Sequence, residues 1–434
     1  MADGSLTTCP HDNHYYGPCG TIPANAKPDG SRGQAADRGR AADFGSEFGW
    51  PSADIMTVSE KVTPPGEGWL EYEEGGQKGA SPFLQYRSQI KNPDWTVESM
   101  LFENSTLTKA FPSLLDASMN GTARGLERWL YLTQALQTKC VGGSVSTYRQ
   151  HTEVMGSLNW AINSIWIGPA WGSISHDGSC ECSNGRLWQV TVCRHQSDGR
   201  PCLRVGKMLH YRLRHLFVPA LLSFVEPSDF SEAAASAGAV LNTDLCAEGD
   251  TCLHLSNNEA EPAGPRQCEL TVRDFARAEA RLCVNFTAAA PAVGGAVVAT
   301  FPTADLLQRA GCGAGECWLS AQCGTCEGCV AQPQFPTALA DCALQPAEVT
   351  ISALSVDGDT VRFRAEANTT APFTFFSSEL PGTFSDNSMT LRPGAALTLE
   401  FRASGAAGAS GISEGAFRRA TRVYTMNNLE PQRL

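Results

Sequence analysis

The hydrophobic period of this chain changes once, near residue 224, and that change limits the folds open to it. Upstream the steps are helical. Leu126, Trp129, Leu130, Thr133, Leu136 and Cys140 recur at intervals of three and four and predict an amphipathic helix from Thr122 to Gly142-Gly143. The mostly apolar run Met155 to Trp166 follows, and such runs suit parallel strands buried on both faces. Leu209, Leu213, Leu216, Phe217 and Leu221 predict a second helix over 207–221, with Pro219 near its end. Past Glu226-Pro227 short alternating strands take over. Val349-Thr350-Ile351, Asp357-Gly358 and Val361-Arg362-Phe363 read as a hairpin, and Leu397 to Phe401 alternates too. The reading is α/β plus all-β: helix-and-strand units, then β-sandwich texture.

Within the first half, one stretch carries chemistry. Asp43-Phe44-Gly45-Ser46-Glu47-Phe48 is a short apolar-flanked run ending near a carboxylate, and Gly49-Trp50-Pro51-Ser52 breaks it at once. In an α/β barrel a reactive acid sits where a parallel strand gives way to its βα loop. Glu47 is therefore the candidate catalytic group, against the plainer reading of a solvated residue before a glycine turn.

A chain of 434 residues makes roughly two to four domains. Its 33 basic and 45 acidic side chains leave a net charge of −12, which argues against a nucleic-acid partner because phosphate binding needs clustered Lys and Arg. No apolar run reaches the roughly 18 residues that span a bilayer. Residues 1 to about 40, rich in Gly, Pro, Ala and Asp, read by composition as a tail, and Met1 to Pro10 lacks the charged-then-apolar pattern of a signal peptide.

Of the 17 cysteines, ten fall between Cys246 and Cys342, and sequons occur at Asn104, Asn120, Asn285 and Asn368. Together they favour an oxidising, secretory or lysosomal route, with the natural start expected upstream of Met1. The insertion 178–206 carries Cys180, Cys182, Cys193 and Cys202, read as two disulfides pinning a hairpin, with a zinc site as the alternative. Cys323, Cys326 and Cys329 form overlapping C-x2-C pairs, for which disulfides are preferred over zinc.

Five segments in order carry a family resemblance: Asp12-Asn13-His14-Tyr15-Tyr16, Ser46-Glu47-Phe48-Gly49, Gly156 to Trp166, Pro169-Ala170-Trp171 and Lys207-Met208-Leu209-His210-Tyr211. They resemble the β-mannosidases of glycoside hydrolase family 2, most closely the lysosomal-type branch. The resemblance implies the C-terminal remnant of a (β/α)8 TIM barrel at 1–223, then immunoglobulin-like β-sandwiches at 224–343 and 344–434. It also implies that Glu47 is the nucleophile of a retaining, exo-acting β-mannosidase, acting on β-mannoside oligosaccharides without metal or cofactor. His14 and Tyr16 would lie in a loop beside the sugar, Trp160 would be the main stacking platform and Trp171 a lesser one, and Asn163 would bond a hydroxyl. His14 and Trp160 keep plainer readings, as a structural histidine and a core tryptophan.

A retaining glycosidase needs a second carboxyl group, which in the family follows Asn on an earlier strand. Residues 1–46 contain no Glu, and Asn258-Glu259 sits in a polar loop of the wrong domain. Asn159, Ala161 and Ser164 also depart from the family's usual Tyr, Gln and Asp. The expectation is a truncated chain, inactive alone, from a lysosomal or secreted enzyme. The alternative is a non-catalytic carbohydrate-binding or structural β-sandwich protein carrying a barrel remnant.

Overall fold

A computed structural model describes residues 12–15, 19, 44–60, 87–88, 123–152, 154, 156–176, 205–225, 245–324, 328–404 and 411–434. Tyr16, Cys180, Cys182, Cys193, Cys202, Cys326, Asn104 and Asn120 lie outside the described residues.

Three strands, β1 (Asp12–Tyr15), β2 (Phe44–Phe48) and β3 (Gly156–Asn159), pair in parallel in chain order. Parallel neighbours need a crossover. Between β2 and β3 the chain passes through α1 (Met56–Ser59) and α2 (Ala123–Gln150). The predicted stop of α2 at Gly142-Gly143 is not observed. Val141, Val145 and Tyr148 bury with Phe48, so packing carries the helix past two poor helix formers. Gly142 has a use there: a Cβ would lie 3.2 Å from the Arg212 guanidinium, so the bare position admits the next helix, α3 (Met208–Leu216).

Two further expectations need correction. The run Met155 to Trp166 is not one buried strand. Only Gly156–Asn159 is extended in the sheet, and Leu158, Ile162 and Ile165 are more than half exposed. The backbone beyond Trp160 finds its partners in its own return segment: the Ala161 amide donates to Trp171 O, and Ser173 and Ile174 donate to Ile162 O. The return ends in β4 (Ile174–Ser175), paired with β5 (Val205–Gly206). Nor is 207–221 one helix. It stops at Leu216, and after Pro219 the chain becomes β6 (Ala220–Val225), because Leu222 and Phe224 fill a sheet core.

β6 pairs with β7 (Asp250–Asn257), then β8 (Ala263–Asp274), β9 (Leu282–Ala290) and β10 (Gly294–Pro302) follow. After α4 (Thr303–Ala310) comes β11 (Cys317–Gln322). The sheets β10-β7-β6 and β11-β8-β9 share one core, with Leu253 and Leu255 against Leu270, Val272 and Leu319. A second sandwich is built from β12 (Val349–Asp357), β13 (Thr360–Ala367), β14 (Ala371–Ser378), β15 (Gly382–Phe384), β16 (Met389–Leu391), β17 (Leu397–Ala403), α5 (Glu414–Ala420), β18 (Thr421–Tyr424) and β19 (Gln432–Arg433). Sheets β12-β13-β17-β15 and β16-β14-β18-β19 enclose Phe363, Phe376, Phe401 and Phe417. The expected hairpin is present, with its two-residue turn at Gly358-Asp359 rather than at Asp357-Gly358. Asp357 pairs with Thr360, and Gly358 supplies the positive φ of +59° that the turn requires.

The α2 stripe packs Trp129, Leu130 and Tyr131 in the same core as Phe375, Tyr424 and Met426, so the helix joins the parallel sheet to the C-terminal sandwich. Arg128 seals the joint by donating to Thr425 O at 2.9 Å and Met426 O at 2.8 Å. Disulfides link Cys19–Cys140, Cys246–Cys252, Cys268–Cys323 and Cys312–Cys317, and Cys329 is disulfide-bonded as well. That is the pairing preferred over zinc for Cys323 and Cys329.

Candidate active site

Because β1, β2 and β3 run parallel, their C-terminal ends open on one rim. Glu47 is the penultimate residue of β2 and is half-buried. His14, expected in a loop, lies instead within β1 in register with Glu47, and Phe48 is in register with Asn159 of β3. The Trp160 amide donates to Phe48 O at 2.7 Å, which ties the start of the next loop to the end of the strand bearing Glu47. Gly49 makes that approach feasible, since a Cβ there would lie 2.3 Å from Trp160 O.

Trp160 is 51% exposed, so it is no core tryptophan. Trp171, half-buried, returns beside Gly49 and packs against the core that contains α2. Asn163 is exposed, and its amide donates to Ser164 O at 3.3 Å. The rim therefore brings together the backbone positions of His14 and Glu47 with Trp160. Asn163 and Trp171 sit on the loop that follows, and Tyr16 lies outside the described residues.

The loop leaving β2 is held from below by residues to which sequence reasoning gave no role. Gln137 of α2 donates to Trp50 O at 2.8 Å and Trp171 O at 3.0 Å, and accepts from the Ser52 hydroxyl at 2.8 Å. Thr133 accepts from the Ala53 amide, and Gln134 donates to Ala53 O while accepting from the Met208 amide. Lys207 lies beneath, its Nζ 3.2 Å from Ser52 O and 3.7 Å from Asp54 Oδ1. Asp54 Oδ2 accepts from the Gly168 amide at 2.7 Å. Burial lowers the Lys207 pKa, and the Asp54 carboxylate works against that shift. The visible signal was three polar side chains, Thr133, Gln134 and Gln137, on a helix whose neighbours are apolar. Among the described residues, no cluster of His, Cys, Asp and Glu could hold a metal ion.

Comparison with known proteins bears on this arrangement. Residues 344–429 match an Ig-fold domain family of mannosidases. A β-mannosidase of Bos taurus is 27% identical over 365 residues, covering 80% of this chain and 33% of that protein. By sequence, the chain matches the C-terminal part of the family 2 β-mannosidases. A β-mannosidase of Mus musculus is likewise 27% identical, over 59% of this chain and 26% of its own length. The chain thus spans about a third of the bovine relative. Solved structures share the fold. A β-D-mannosidase from Dictyoglomus thermophilum superposes with a TM-score of 0.56 at 15% identity, over 85% of this chain and 36% of its own. An exo-chitosanase from Amycolatopsis orientalis gives 0.54 at 12% identity, over 98% and 45%. Glycoside hydrolysis is the common theme of these β-mannosidase relatives. No helix among the described residues is long and apolar enough to cross a membrane.

Proposed function

We propose that the chain carries the nucleophile side of an exo-acting retaining β-mannosidase. Glu47 attacks the anomeric carbon of a terminal β-mannose, the second carboxyl group gives its proton to the departing oxygen as the glycosidic C–O bond breaks, and a glycosyl-enzyme forms. Water activated by the second carboxyl group then releases mannose and frees Glu47. The observation that carries this is the placement of Glu47 at the C-terminal rim of a parallel sheet, in register with His14 and backbone-linked to Trp160.

In this reading β1–β3 are the remnant of a (β/α)8 barrel, residues 1–223, and the two sandwiches at 224–343 and 344–434 are its C-terminal domains. The exposed Trp160 ring stacks on the sugar's C–H face, helped by Trp171. Asn163 and Tyr16 bond hydroxyls, and His14 bonds a hydroxyl or Glu47 itself. The acid/base carboxyl is supplied from outside these residues, so the chain alone does not turn over. Disulfides in both halves support a secreted or lysosomal setting.

An activated 2-fluoro-mannosyl fluoride tests this, because its leaving group departs without an acid. Mass spectrometry should find one sugar adduct on the peptide containing Glu47, absent in Glu47→Gln. Saturable mannoside binding with no adduct would favour the non-catalytic binding protein instead.

A further inference from the structure

We propose that Asn285, on the edge strand β9, carries an N-linked glycan that caps the strand and shields the thiol of Cys283. The modification requires the oxidising, secretory setting proposed above and is independent of Glu47. Asn285-Phe286-Thr287 is a complete acceptor sequence. Such sequences recur by chance, so the fold around this one decides.

Strand alternation fixes which way Asn285 points. Val284 and Phe286 pack on the core of the first sandwich, so Cys283, Asn285 and Thr287 share the outer face, and all three are exposed. Pairing with β8 holds that register. Asn285 lies opposite Glu269 and Thr287 opposite Gln267, whose side-chain amide donates to the Thr287 hydroxyl at 3.3 Å. Both members of the acceptor pair stand clear of the core, and the folded protein has room for the product. Asn368 contrasts: its side-chain oxygen accepts from the Glu348 amide at 2.8 Å, and its sequon partner Thr370 is fully buried.

Two liabilities meet at this spot. Among the described strands β9 is hydrogen-bonded in its sheet to β8 alone, and an open strand edge invites pairing with another chain. Cys283, exposed and outside any disulfide, lies two residues from Asn285 on the same face, about 7 Å along the strand. In an oxidising compartment a leftover exposed thiol pairs between molecules. A bulky, solvated glycan at Asn285 obstructs both. In the transfer, Asn285 Nδ2 bonds to the anomeric carbon of an oligosaccharide carried on a lipid pyrophosphate. The sugar–phosphate C–O bond breaks, the lipid pyrophosphate leaves, and Nδ2 gives up one proton.

The full chain, secreted from a eukaryotic host behind an added leader peptide, provides the test. Digestion with an N-glycanase in heavy-oxygen water should leave a mass label at Asn285. Asn285→Gln and Thr287→Ala should each lose the mass of one glycan, and Thr287→Ala does so with the asparagine still in place. Glycanase treatment of the folded protein should raise maleimide labelling of Cys283 several-fold, read on its own peptide so that the free Cys342 does not contribute. An unlabelled Asn285 peptide in molecules whose Cys268–Cys323 disulfide has formed overturns the assignment and leaves the oxidising setting standing. Lack of that disulfide would count against both. Cys283 labelling that deglycosylation does not change overturns the shielding role.

Discussion

Lys207 and Asp54 face each other at 3.7 Å with both side chains fully buried, directly under the loop that leaves the Glu47 strand. At that distance they form an ion pair rather than a hydrogen bond. Each is secured by backbone: Lys207 through Ser52 O, and Asp54 through the Gly168 amide. Removing one partner leaves an uncompensated buried charge, which costs about 3–5 kcal/mol. Lys207→Met should lower the unfolding free energy measured in urea by that amount, and adding Asp54→Asn should restore part of it. A double-mutant cycle with no coupling would dismiss the pairing.

Gly49 sits where only hydrogen fits. Its Cβ would meet Trp160 O at 2.3 Å, a backbone atom that cannot rotate away. Gly49→Ala should therefore cost about 1–3 kcal/mol by overpacking and displace Trp160 from the rim. Urea unfolding gives the first effect and a changed tryptophan emission in buffer gives the second. Unchanged emission would mean that Trp160 does not depend on this contact.

Local features were legible in the sequence and distant ones were not. The β2 strand around Glu47, the stripe of α2 and the hairpin at Gly358 are visible because each is written within a few residues. The Lys207–Ser52 contact joins residues 155 apart, and nothing in either segment predicts the other. Residues 217–225 misled for a different reason: Leu221 and Leu222 suit the end of a helix as well as the start of a strand, and only the partner β7 decides between them. Leu158, Ile162 and Ile165 look like core because hydrophobicity says nothing of whether a partner surface is there to cover them.

Cys19 and Cys140 tie the segment after β1 to the middle of α2 across a sequence separation of 121. Closing so long a loop restricts the unfolded chain by about 4–5 kcal/mol in the chain-entropy model. Cys19→Ser with Cys140→Ser should lower stability toward that figure and loosen the β1 side of the rim. Hydrogen exchange would locate the change. Fast exchange confined to the sandwiches would contradict it.

His254 on β7 gives the fold a predictable acid response. It is 1% exposed, its ring rests on bare Gly295, and its Nδ1 lies 3.2 Å from the Ser256 hydroxyl. Burial first, and then the nearby His151 and Arg149, pull its pKa down from 6.5 to about 4. Between those two values the unfolded chain binds the proton and the folded chain does not. Stability from this site is thus complete above pH 6.5 and is lost as pH falls toward 4, by roughly 3 kcal/mol at most. The loss is felt at the junction with α2, where Ser256 donates to Arg149 O. His254→Gln removes the titration, so its urea-derived stability should decline less than wild type between pH 7 and 4.5. Parallel declines in the two proteins would show that the imidazole is protonated equally in both states.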